Sequence, residues 1–300
     1  MKHVVSVSLG SSSRNSVGEA EILGQKVRME RIGTDGDMQK LLSLLRELDG
    51  QVDAIGTGGI KLHVHAAGKP FPLRGSKQVA AAVKKTPLVD GSGLKDTIER
   101  RTFYIMEEEG IPVRGTKTLL MSAVDRFGMA EALWELESDV IYGDFMFGVN
   151  LPIPIRKLST IWFYGSLVGP LLRFIPFHWL YPTGKQQEEN TPRWGKYFQW
   201  ADLITGDYHY IRRYMPPTLK DKIIVTNTVT KDDVEDLRRR GVKALITGSP
   251  EINGRSFATN VLEAALVAVA GKNRPLTHTE YEEMLDQMHY RPRIEYLQNS

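Results

Sequence analysis

Short apolar runs alternate with polar breaks along the first third of the chain. Val4 to Leu9 reads as a strand, and Ala20 to Ile32 as a hairpin turning at Leu23-Gly24-Gln25. Met38 to Leu48 carries Leu41, Leu42, Leu45 and Leu48 at helical spacing. Val52 to Ile55 reads as a strand running into Gly56-Thr57-Gly58-Gly59. Leu62 to Leu73 reads as a second hairpin, centred on Ala67-Gly68-Lys69. Lys77 to Lys85 is helical, Pro87 to Val89 a short strand, and Lys95 to Glu109 a long helix. Gly110 and Pro112 then punctuate the chain and set a boundary near Gly115.

The second half alternates more regularly. Strands are predicted at Thr118–Met121, Val140–Tyr142, Leu203–Thr205, Ile223–Thr226 and Ala244–Thr247. Helices are predicted at Gly128–Leu136, Lys231–Arg240 and Thr259–Ala270. Strand and helix in turn imply a parallel sheet covered on both faces. The expected fold class is α/β. A substrate domain spans residues 1–115, a Rossmann-like doubly wound domain spans 116–276, and a C-terminal helix and tail span 277–300. The last helix, Thr279 to Gln287, is expected to fold back on the first domain.

Doubly wound sheets bind ligands beyond the carboxyl ends of their strands. The residues there are Ser122 to Arg126, Gly143-Asp144, Gly206-Asp207-Tyr208-His209, Asn227-Thr228 and Gly248-Ser249. Lys117 to Leu136 stands out as a strand, a tight turn and a helix carrying Met129, Leu133 and Leu136. That order seats a dinucleotide, with the pyrophosphate on the helix N-terminus. Of a three-glycine fingerprint ending at Gly128, the chain keeps one member, with Ala123 and Asp125 at the other two positions. A carboxylate there repels phosphate, and Arg126 is placed to offset it. The opposing reading is a retired nucleotide site kept for packing. Asp144 is placed to accept from a ribose 2′-hydroxyl, which favours NAD over NADP, or else to cap a helix. Tyr208 and His209 are placed to meet cofactor or substrate, or to pack at a helix start.

Composition narrows the function classes. The chain has 300 residues, of which 41% are hydrophobic and 25% charged, as in a soluble globular protein. A formal charge of +3 gives no nucleic-acid signature. Cysteine is absent, which excludes disulfides and thiolate chemistry and makes a reducing cytoplasm the simplest home. The first apolar run is too short for a signal peptide. His63 and His65 share a face of a strand, but no third ligand follows at metal-site spacing, so no metal is expected. Arg238-Arg239-Arg240 ends a helix, where cations are favoured.

Four places carry a resemblance to the shikimate/quinate dehydrogenase family, closest to the bacterial branch labelled quinate 5-dehydrogenase. Val89-Asp90-Gly91-Ser92-Gly93-Leu94 resembles its Thr-Asp-Gly-x-Gly-Phe motif. Lys117 to Leu136 sits where the family has its nucleotide turn. Thr226-Asn227-Thr228-Val229, with the helix ending at Arg240-Gly241, resembles its Tyr-Asn-Pro strand and following helix. Gly254-Arg255-Ser256-Phe257, leading into Asn260 to Gly271, resembles its substrate-contacting segment. The likeness covers roughly residues 85 to 272. It implies an NAD(P)-dependent oxidoreductase acting on a hydroxyl or ketone of a cyclic polyhydroxy acid. It also implies a catalytic Asp and Lys pair: Asp90, with Lys61 or Lys95. Ser11, Ser12 and Ser13 stand in for a serine pair that holds a substrate carboxylate, with Arg14 assisting. Asn227 and Asn260 become substrate contacts. Ser122, Val124, Asp125, Arg126, Gly128, Asp144, Tyr208 and His209 become the cofactor contacts.

Leu158 to Tyr181, within an insert at 151–184, has the most unusual composition. Arg173, His178 and several glycines and prolines interrupt it, which argues against a transmembrane span. Three readings stay open: an apolar lid, a membrane-surface contact with Trp162, Trp179 and Tyr181 as anchors, or burial in a homodimer or core. The alternative to an enzyme is therefore a non-catalytic protein binding an apolar metabolite or lipid, at a membrane surface or free of one.

Overall fold

The computed structural model describes residues 1–66, 69–72, 76–124, 126–172, 190–227, 229–248, 251–252, 255–256 and 258–298. The first sheet contains β1 (Lys2–Ser8), β2 (Ser16–Ile22), β3 (Gln25–Gly33), β4 (Ala54–Gly58) and, after the hairpin of β5 (His63–Ala66) and β6 (Lys69–Pro72), β7 (Leu88–Val89). Its order is β2-β3-β1-β4-β7, with β2 antiparallel to β3 and the other pairs parallel. The β2–β3 turn works because Leu23 and Gly24 both adopt positive φ, at 49° and 75°, which matches the twist of the flanking strands. Helix α1 (Met38–Leu48) is capped by Asp37, whose side chain accepts from Lys40 N–H. Leu41, Leu42 and Leu45 pack with Val5, Val7 and Ile55 on one face, beside α2 (Ser76–Ala82).

The second sheet contains β8 (Lys117–Leu120), β9 (Asp139–Tyr142), β10 (Leu203–Thr205), β11 (Ile223–Thr226), β12 (Ala244–Thr247) and, after the small hairpin of β13 (Glu251–Ile252) and β14 (Arg255–Ser256), β15 (Arg293–Tyr296). Its order is β15-β12-β11-β10-β8-β9. β15 runs antiparallel and the rest parallel. This is the doubly wound pattern expected from the sequence. The strand order reverses between β8 and β10, the topological switch point where such sheets hold ligands.

Between the two sheets runs α3 (Ser92–Glu108). Leu94 and Ile98 enter the first core, and Phe103 and Met106 the second. Helices α4 (Phe127–Glu135) and α5 (Leu158–Leu172) share the second core. On the sheet's other face lie α6 (Gly195–Trp200), α7 (Tyr208–Tyr214) and α8 (Lys231–Arg239), contributing Phe198, Tyr208, Ile211 and Leu237.

One expected assignment changes. Helix α9 (Thr259–Val269) follows the last parallel strand of the second sheet, and the sequence groups it there. Instead it packs on β1 and β4 of the first sheet, together with α10 (His278–Gln287). Residues 261–269 are buried all round this helix, so its whole surface needs cover. The C-terminal helix does return to the first unit, as anticipated, and β15 then carries the chain back to the second sheet. The insert forms a helix through Gly165, Gly169 and Pro170, and α5 lies beside the β5–β6 hairpin. The remainder of the insert, 173–184, lies outside the described residues, as do the side chains of His63 and His65.

Candidate functional site

The carboxyl edge of the first sheet collects three of the residues picked from sequence. Asp90 follows β7 directly. Its Oδ2 accepts from Leu62 N–H at 2.6 Å and its Oδ1 from Ser92 N–H at 2.9 Å, so it caps the start of α3 and ties down the segment holding Lys61. Asn260, at the amino end of α9, lies across the same edge and donates from Nδ2 to Ser6 Oγ at 2.5 Å. Glycine makes that approach possible. A Cβ on Gly56 would sit 2.7 Å from Asn260 O, and one on Gly91 2.9 Å from Asn260 N. Gly91 also holds φ at +88°, where glycine carries no steric cost.

Glu263 anchors this arrangement from inside. It accepts from Gly91 N–H at 2.5 Å, from Leu94 N–H at 3.1 Å and from Tyr281 O–H at 2.7 Å. Burial pushes its carboxyl up to about 7, with the neighbouring Asp90 adding to the rise and the Tyr281 hydrogen bond opposing it. Sequence reasoning missed Glu263. The available signal was an acid inside the otherwise apolar run Val261 to Ala270.

Ser11, Ser12 and Ser13 also lie past the end of β1, in an exposed 3-10 turn. Ser11 Oγ accepts from Ser13 N–H at 3.2 Å and contacts Ser13 Oγ at 2.8 Å, while Ser12 N–H donates to Asp35 at 2.7 Å. Their hydroxyls thus serve their own turn first. Arg31, not picked from sequence, donates to Ser11 O and Ser8 Oγ, each at 3.1 Å. Burial, then the nearby Arg14, lowers its guanidinium pKa.

At the second sheet the turn after β8 is held by a carboxylate. Asp144 accepts from Ala123 N–H at 3.0 Å, Val124 N–H at 2.9 Å and Ser122 Oγ at 3.2 Å. Burial raises its pKa, and these three donors pull against the rise. The expected ribose acceptor is therefore engaged in pinning β9 to the turn. Gly128 is held by a packing requirement. A Cβ there would sit 2.4 Å from Asp96 Oδ1, so the glycine lets α4 pack on α3. Arg126, expected to offset charge at the diphosphate, is only 2% exposed and forms ion pairs with Glu99 of α3 and Asp207 after β10. Glu99 gave no sequence signal. Tyr208 is buried in the core beneath the sheet, and burial pushes its phenol pKa up. His209 is exposed, with its N–H donating to the helix-capping Asp207 at 3.1 Å. Asp125 lies outside the described residues.

A cavity of about 190 Å³ opens at the ends of β10, β11 and β12. Lys95, Thr102, Arg126, Asp207, Asn227 and Thr259 line it. Asn227 Oδ1 accepts from Tyr208 N–H at 3.3 Å and from Thr226 Oγ1 at 3.1 Å, which aims the side chain along the rim. Thr259 precedes Asn260, so the cavity meets the first sheet's edge at the amino end of α9. Lys95, Arg126 and Asn227 are thus brought together in the cavity, and Asp90, the Lys61 segment and Asn260 at the adjoining edge.

Fold and site together define an α/β protein of two main sheets with a cavity at the strand ends of the second. The chain belongs to the family described as a domain of unknown function, DUF8754, whose model matches residues 93–297. A second model, domain of unknown function DUF8753, matches residues 3–90. The two meet at the start of α3. No curated protein matches the sequence. Among solved structures, a putative malic enzyme (malate oxidoreductase) is 12% identical, covering 94% of this chain and 76% of its own, with a TM-score of 0.42. The NAD-dependent malic enzyme from Thermotoga maritima is 12% identical, covering 94% and 75%, with a TM-score of 0.42. The periplasmic binding protein component of the arabinose ABC transporter from Shewanella sp. ANA-3, bound to arabinofuranose, is 11% identical. It covers 96% and 97%, with a TM-score of 0.35. Likeness at these scores carries no argument about activity.

Proposed function

We propose that the protein is an NAD(P)-dependent oxidoreductase of shikimate/quinate dehydrogenase type, acting on a hydroxyl or ketone of a small polyhydroxy acid. One observation carries this reading. Asp90, the Lys61 segment and Asn260 come from distant parts of the chain and meet at one strand edge, beside a polar cavity that adds Lys95 and Asn227. Asp90, with Lys61 or Lys95, would hold and move the proton of the reacting hydroxyl, and a nicotinamide would supply the hydride exchange.

The donor set at the β8–α4 turn supports a diphosphate there. The amides of Ala123 and Val124 already converge on an anion, the Asp144 carboxylate. Binding would exchange that carboxylate for phosphate, and the raised pKa of Asp144 lowers the cost of neutralising it. NAD is favoured over NADP, since the additional 2′-phosphate of NADP would bring further negative charge toward the acidic end of β9.

The Asp144 contact also favours a second reading, a binding protein without redox activity whose turn stays closed. Turnover separates the two. With reduced-nicotinamide absorbance as the signal, Asp90→Asn lowers turnover by about 10²- to 10⁴-fold under the first reading. Unchanged turnover in that variant removes Asp90 from the chemistry. Absence of turnover by the wild type on any cyclic polyhydroxy acid favours the second reading.

A further inference from the structure

The segment from the end of β9 into α5 carries chemistry that the cleft does not use. Val149, Leu151 and Ile153 are exposed in the loop that follows a single π-helical turn, Asp144–Gly148. Trp162, Phe163 and Tyr164 are exposed on α5. Loop and helix form one surface. Leu151 N–H donates to Phe145 O at 2.8 Å, and the Phe145 ring packs edge-on against Tyr164, 5.1 Å between centroids. Exposed Lys157 stands between the two apolar groups beside Arg156, which is ion-paired with Asp139 at 3.0 Å, and Arg193 joins them by donating to Asn150 Oδ1. Patches of this kind mark interaction sites.

We propose that this face docks on an anionic lipid bilayer. Aliphatic side chains at the loop tip reach into the acyl boundary, and Trp162 and Tyr164 offer the apolar body and polar tip that suit the headgroup level. The cations beside them meet anionic headgroups. No described helix is long and apolar enough to cross a membrane, so α5 lies in the interface. Charge decides against a second copy as the occupant. A two-fold contact sets the patch against itself and brings the Lys157 and Arg193 charges of one copy onto the same basic patch of the other. This inference is independent of the cleft and its substrate.

Sedimentation of the full chain with vesicles tests it. The protein is expected to pellet with phosphatidylcholine–phosphatidylglycerol vesicles, less with phosphatidylcholine alone, and less as salt rises. Leu151→Ser with Phe163→Ser lowers the bound fraction about tenfold, and Lys157→Glu lowers it separately. All three positions are exposed, so an unchanged melting temperature confirms that the variants fold. Failure to pellet with the mixed vesicles overturns the proposal, as does equal binding by the double variant. A wild-type dimer that the double variant splits, without vesicle binding, assigns the face to a second copy and also overturns it.

Discussion

Glu263 is the side chain on which most local order depends. Its two oxygens take two backbone amides at the start of α3 and one phenol, so the loop behind Asp90 is fixed by a group from the far end of the chain. Its pKa in the folded protein, about 7, lies above the ordinary value of 4.5. A raised folded pKa means that the neutral acid favours folding. The contribution is full below the unfolded value and is lost as pH rises through about 7. The lost stability amounts to about 3 kcal/mol. Urea midpoints at pH 5 and pH 8 check this. The wild type is expected to lose stability over that range, and Glu263→Gln, which resembles the protonated acid in shape, to lose far less. Equal losses in the two proteins would reassign the pH dependence to other groups.

Gly128 illustrates how an element can be legible while the helix it packs on is not. The helix at 127–135 follows from the spacing of Met129, Leu133 and Leu136. Gly128, the third fingerprint position, serves close packing as that position does, here at the crossing of α3 and α4. Gly128→Ala is expected to cost about 1–3 kcal/mol through forced separation of the helices, seen as a lower melting temperature. A melting temperature equal to that of the wild type would show that Asp96 simply moves aside.

Legibility elsewhere followed the strength of the pattern. Leu41, Leu42, Leu45 and Leu48 give helix α1 to the residue, and compact apolar runs give β10, β11 and β12. Helix α7 was missed because Tyr-His-Tyr-Ile-Arg-Arg-Tyr has no clean period, and β15 because Arg-Ile-Glu-Tyr is an edge strand without an apolar run. Of the candidate site, the motif picked out Asp90 and Asn260, which the fold brings to one strand edge. Glu99, and the pairing of Arg126 with Glu99 and Asp207, were not legible, because ion pairing between remote segments leaves no local signature.

The whole molecule is two sheets tied by a chain that crosses between them repeatedly. Helices α9 and α10 cover one face of the first sheet, and α3 contributes to both cores. Chain order alone does not reveal this, since an all-apolar helix packs equally well on either sheet. A fragment of residues 1–115 therefore lacks its cover, exposing Val4, Val27, Met29 and Ala54. It is expected to be insoluble or to melt without a cooperative transition in calorimetry. A fragment that melts cooperatively would show that the first unit is self-sufficient.

The central claim concerns the β8–α4 turn, where an internal carboxylate and a dinucleotide compete for the same amides. Isothermal calorimetry with NAD, on the wild type and on Asp144→Ala, tests it most directly. Saturable binding by the wild type is expected with Kd below about 1 mM, and binding about tenfold tighter once the competing carboxylate is removed. Weaker binding by the variant would return Asp144 to the ribose role read from sequence. Absence of heat with both proteins at millimolar NAD would contradict a dinucleotide site at this turn.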